Sequence, residues 1–182
     1  MSRAGVRASA VALGLVVAGA VLSACAPADD GPLTGPRPEA DDVHVCLPAG
    51  TDRQVYFGEP LTNTGDEPVE ITRITGSGDN LDTVHYFVDV EGPARGELLG
   101  GFAWPAGDDL IGPEEQVLAR MAAPDGTVVE PGATVSLIVQ AVPESPDEYA
   151  AVSRTVVYYR SGGDTYREPV LVEYGVAPGA QC

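Results

Sequence analysis

From Val43 onward the chain alternates between apolar and polar positions. Val84, Tyr86, Val88 and Val90 fall on one side of a two-residue repeat, with His85, Phe87 and Asp89 on the other. Val135, Leu137, Val139 and Ala141 alternate with Thr134, Ser136, Ile138 and Gln140. Val152, Arg154, Val156 and Tyr158 alternate with Ser153, Thr155, Val157 and Tyr159, and Val170, Val172 and Tyr174 with Leu171 and Glu173. A period of two is the signature of a strand, whose side chains point to opposite faces in turn. Shorter apolar runs at 43–47 and 54–61 fit the same reading. Val69, Ile71 and Ile74 slip out of phase after Ile71, which predicts a bulge there. Asn63-Thr64-Gly65-Asp66 and Gly76-Ser77-Gly78-Asp79-Asn80 are turn signals between strands. No stretch after residue 25 sustains helical spacing with caps. The pattern predicts an all-β chain of about seven to nine strands, folded as an antiparallel β-sandwich.

Two segments sharpen the fold. The run Leu61-Thr62-Asn63-Thr64-Gly65-Asp66-Glu67-Pro68-Val69-Glu70-Ile71 ends one strand in an N-x-G turn and starts the next at once. The run Glu130-Pro131-Gly132-Ala133-Thr134-Val135-Ser136-Leu137-Ile138-Val139 places a Pro-Gly turn before β-branched alternation. Both resemble strands of bacterial immunoglobulin-like surface modules. The resemblance implies an immunoglobulin-like sandwich over residues 41–182. It speaks to fold and not to function.

The N-terminus has a different grammar. Arg3 and Arg7 are its only charges, and 8–22 is uncharged and rich in Ala, Val, Leu and Gly. A basic start, a short apolar middle and then small residues make a signal peptide, here residues 1–24. Leu22-Ser23-Ala24-Cys25 follows and resembles the lipobox of bacterial lipoproteins. That resemblance implies a diacylglycerol on the Cys25 thiol and cleavage just before it. A permanent span is the competing reading, but it needs roughly 20 predominantly apolar residues, reached here only by counting Ser23, Cys25 and Pro27. Residues 25–40 then read as the lipidated cysteine and a disordered tether, with Pro27, Pro32, Pro36 and Pro38 and almost no large apolar side chain.

Charge narrows the partners. The chain holds 10 basic and 27 acidic residues, a net charge of −17. Loss of Arg3 and Arg7 takes this to about −19. Nucleic acid is excluded as a partner, because phosphate binding needs a basic surface. Every basic residue is arginine; together with abundant Ala, Gly, Pro, Asp and Val this suggests a GC-rich genome, such as an actinobacterium's. Of three cysteines the lipid takes one. Cys46 and Cys182 are left to pair outside the cell, where disulfides persist.

Candidate chemistry is sparse. His44 and His85 have no His, Cys or Met beside them at ligand spacing, and no transition-metal site or cofactor is expected. Asp79, Asn80 and Asp82 offer a weak calcium loop that departs from the EF-hand spacing. No G-x-S-x-G, H-E-x-x-H, S-x-x-K or glycine-rich phosphate loop occurs. Trp104, the one tryptophan, lies with Phe102 in the loop-like segment Gly100-Gly101-Phe102-Ala103-Trp104-Pro105-Ala106-Gly107-Asp108-Asp109. These two aromatics are the candidate partner contact. The expectation is a membrane-anchored, extracytoplasmic, non-enzymatic lipoprotein that contacts another envelope protein. A small-ligand or cation-binding lipoprotein and an unrecognised hydrolase are the alternatives.

Overall fold

A computed structural model describes residues 27–37, 43–48, 54–93, 100–104, 113–179 and 182. Its strands are β1 (Leu33–Thr34), β2 (Val43–Pro48), β3 (Gln54–Asn63), β4 (Val69–Asp79), β5 (Leu81–Asp89), β6 (Phe102–Trp104), β7 (Val128–Val129), β8 (Thr134–Pro143), β9 (Ala150–Ser161), β10 (Asp164–Pro169) and β11 (Val172–Ala177). Among the described residues one helix, α1 (Pro113–Arg120), falls between β6 and β7. The first sheet runs β1-β3-β8-β5, with β6 also on β3. The second runs β2-β11-β9-β4-β7, with β10 also on β9. Pairing is antiparallel except between β2 and β11. A sheet built on β3, β8 and β5 facing one built on β4, β9 and β11 has the strand order of an immunoglobulin-type sandwich, as the alternation predicts. The count exceeds the expected seven to nine because β1, β6 and β7 are two- or three-residue pieces and the last strand is split at residues 170–171.

Alternation places the core. Val135, Leu137, Val139 and Ala141 of β8 face Phe57 and Leu61 of β3 and, across the gap, Ile71, Val157, Tyr159 and Tyr174. The opposite face of β8 is covered as well. Ile138 packs with Tyr56, Phe102 and the helical Val117 in a second apolar cluster, joined by Phe87, Trp104, Leu118 and Met121. Strand alternation alone does not predict that cover, and α1 corrects the expectation of a chain without helix. The sequence supports α1 locally. Proline opens it, Glu114 and Glu115 fill its positive first turn, and Arg120 closes its negative end. Arg120 then donates to the buried Asp89 carboxylate at 2.9–3.2 Å, pinning helix to sheet.

Three further readings need correction. Residues 27–37 do not behave as a tether. Ala28 bridges Tyr166 of β10, β1 pairs with β3, and the Leu33 side chain is fully buried. Gly31 lies so close that a Cβ there would strike the Tyr159 hydroxyl and the Tyr166 ring. The composition of this arm is that of a spacer, but one leucine and a row of backbone hydrogen bonds are enough to dock it on a preformed surface. Secondly, the turn expected at 76–80 shrinks to a bend at Asn80, whose φ is 53°. Thirdly, the unbroken alternation through 152–159 is wrong. Val152 joins Val157 and Tyr159 in the core, so the phase flips between them. Arg154 is the reason: it sits at φ 53° in the middle of β9, opposite a register shift against Thr75 and Ser77 of β4. The bulge expected after Ile71 is present, between Ile71 and Arg73.

Cys46 and Cys182 form a disulfide, with Cα atoms 5.9 Å apart. It joins β2 to the C-terminus across 136 residues of sequence. Cys25, with the whole signal segment, lies outside the described residues.

Candidate functional site

The β9 bulge shapes the outer face of the second sheet. A bulged strand bends and twists more strongly, and β10 and β11 part at residues 170–171 alongside it. A groove of about 430 Å³ opens there, lined by His44, Arg154, Val156, Pro169, Leu171 and Glu173 among others. A neighbouring hollow of about 440 Å³ shares Val156, Pro169 and Leu171 and reaches Asp29, Arg37, Arg167 and Glu168. The floor is apolar, and Leu171 is 52% exposed. The rim carries three arginines on a protein with an excess of acids.

Those arginines differ in what they hold. Arg167 donates to Asp29, Nη2 to Oδ2 at 3.0 Å, and this bond holds the Asp29 carboxyl below its ordinary pKa. Arg37 reaches the buried Glu168 at 3.5 Å, and the Gly35 N–H donates to the same carboxylate at 3.0 Å. Both pairs fasten the arm. Arg154 makes no ion pair or side-chain hydrogen bond among the described residues, and it occupies a backbone region that costs a non-glycine residue roughly 1–2 kcal/mol. Sequence reasoning missed it. No Gly, Asn or Asp stands at 154 to signal a left-handed residue, and the alternation runs through without a break.

A second polar group lies inside the sandwich. Glu59 points inward from β3 between Phe57 and Leu61, and burial pushes its carboxyl up to about 6. The Tyr174 hydroxyl beside it offsets only part of that rise. Burial also raises Tyr174 and Tyr86. The hydroxyls of Tyr86, Thr155 and Tyr174 are buried without a hydrogen-bond partner of ordinary geometry among the described residues.

The residues singled out in the sequence scatter. Phe102 is buried and stacks on Tyr56, with ring centroids 5.0 Å apart, so it packs rather than offering an open contact. Trp104 is half-buried beside it, on β6 opposite Gln54. Residues 105–112, the rest of that candidate loop, lie outside the described residues. Asn80 spends its side chain on the neighbouring loop: it donates to the Ser145 carbonyl at 2.9 Å and accepts from the Ser145 N–H at 2.9 Å. The Asp82 carboxylate accepts from Thr83. Among the described residues no group of three or more His, Cys, Asp or Glu gathers to hold a metal. His44 shares a short hydrogen bond with the Tyr149 hydroxyl, and His85 tilts against Phe87. No described helix is long and apolar enough to cross a membrane.

No protein-family model matches the chain. No curated protein matches it either. Among solved structures it is similar to the Vibrio cholerae VesB protease, with 11% identity and a TM-score of 0.41 over 80% of this chain. It spans only 32% of that protease chain. It is also similar to a PapD-like domain of human CEP192, with 10% identity and a TM-score of 0.42 over 93% of this chain and all of that one. Likeness at this level carries no statement about function.

Proposed function

We propose that the chain is an exported lipoprotein, held on the outer face of the cell membrane by a lipid on Cys25. Its sandwich is then a non-catalytic module that docks another envelope protein. The basic start, the apolar segment and Leu22-Ser23-Ala24-Cys25 support the anchor. Arg154 carries the docking half. A strained cation, unpaired among the described residues and beside the exposed Leu171, is kept at a cost in stability, and such outliers concentrate at functional positions. The groove suits an extended segment that sets an apolar side chain on Leu171 and Pro169 and a carboxylate on Arg154.

A second reading uses the same groove for a small amphipathic carboxylate. Its volume of about 430 Å³ supports this, since ligand pockets run from roughly 300 to 1,000 Å³. An alkyne fatty acid fed to cells tests the anchor. Label on the wild type and none on Cys25→Ser is expected; no label on the wild type contradicts it. Affinity capture with Leu171→Asp as control tests the groove. Capture of one envelope protein that the variant loses supports docking. Equal capture by both overturns the groove as the docking surface.

A further inference from the structure

We infer that the docked arm fixes how the domain stands on the membrane: the end carrying the β9–β10 hairpin faces the bilayer, and the end carrying Trp104 and the disulfide faces away. This rests on the lipid at Cys25. Ala28 bridges Tyr166 in parallel, its N–H donating to the Thr165 carbonyl at 3.2 Å and its carbonyl accepting from the Arg167 N–H at 2.8 Å. Parallel pairing means that residues before Ala28 head toward the start of β10, where Gly162 and Gly163 turn the hairpin. Cys25 is three residues upstream, and three residues span at most about 10 Å. The anchor therefore reaches the level of the hairpin tip and no further.

The arm is held at more than one point. Leu33 is fully buried and its N–H donates to the Tyr159 hydroxyl at 3.2 Å, while Arg167 and Glu168 hold Asp29 and Arg37. Only three residues separate Ala28 from Cys25, so the spacer cannot lift the domain. The register places the two ends. Asn63, the 130–133 turn and Ser161 share the hairpin end, by the Asn63–Ala133 hydrogen bond and the pairing of Glu70 with Arg160. Trp104 pairs with Gln54, at the opposite end of β3. Cys46 pairs with Gly175, beside Ala151 at the other end of β9. With 12 residues in β9, the ends are about 35–40 Å apart. The near end carries Asp66, Glu67, Glu130 and Asp164, which anionic headgroups repel. Its closeness to the membrane is thus imposed by the arm and not by charge.

Acylated full-length protein, reconstituted in phosphatidylglycerol–phosphatidylethanolamine vesicles with dansyl headgroups, tests this. Wild type has Trp104 as its sole tryptophan, a reporter at the far end. Asp164→Trp in a Trp104→Phe background moves the reporter to the near end, and Glu130→Trp in the same background gives an independent one. Most near-end emission is expected to pass to the dansyl lipid and little from Trp104. Equal transfer from both ends overturns the orientation. Little transfer from either end, on protein that carries the fatty-acid label, shows an undocked arm and also overturns it while leaving the lipoprotein reading intact. Absence of the label removes that reading and the orientation with it.

Discussion

Glu59 allows a sharp test of the packing account. Its carboxyl faces the core between Phe57 and Leu61 and has a folded pKa of about 6, against an ordinary value near 4.5. A raised acid pKa means that the fold prefers the protonated form. Between pH 4.5 and 6 the folded chain therefore binds more protons at this site than the unfolded chain, and stability falls as pH rises. The shift is about 1.5 units, or roughly 2 kcal/mol once the pH exceeds 6. Glu59→Gln keeps the shape and stays neutral. It is expected to match wild type at pH 4 and to exceed it by about 2 kcal/mol at pH 7, or roughly 4–8 °C in Tm. Urea melts of both proteins at four pH values, disulfide intact, give the difference directly. Comparing the two proteins cancels the opposite trend from groups such as Asp89. A difference that does not change with pH, or a variant less stable at pH 7, refutes the reasoning.

Other substitutions test other joints. Arg120→Ala leaves the buried Asp89 carboxylate without its charged partner and should cost about 3–5 kcal/mol in chemical denaturation. Burial by itself raises the Asp89 pKa, but Arg120 and the N–H groups of Glu91 and Gly92 hold it low, so wild-type stability from this site should be lost as pH falls through the acid range. Cys46→Ser should cost up to about 5 kcal/mol by loop entropy, measured against the oxidised wild type. Leu33→Ala should cost about 2–5 kcal/mol and increase proteolysis within 27–37. Arg154→Gly should raise stability by about 1 kcal/mol, since glycine adopts φ 53° without strain, and should lose the captured partner.

Much of the fold was legible because each strand of a sandwich carries its own period. The bulge after Ile71 was legible too, from a broken alternation. The bulge at Arg154 was not, because its flanks read as one continuous repeat with Val and Tyr on both phases. Phase alone does not say which of two apolar rows faces the core. The arm was misread because its composition lacks apolar residues, and a single buried Leu33 with backbone pairing is invisible to composition. The disulfide followed from counting cysteines. The groove was not legible, since it arises where β9, β10 and β11 diverge, and its β9 residues lie 13 or more positions from those of β10 and β11 in sequence.

The central claim is an envelope module that docks through the Arg154 face. A photocrosslinking residue placed at Leu171 in living cells, with a second protein carrying it at Trp104, tests that claim most directly. The account predicts one envelope protein crosslinked from Leu171 and lost on Arg154→Gly. A partner crosslinked from Trp104 alone, or a Leu171 crosslink that persists in Arg154→Gly, contradicts it.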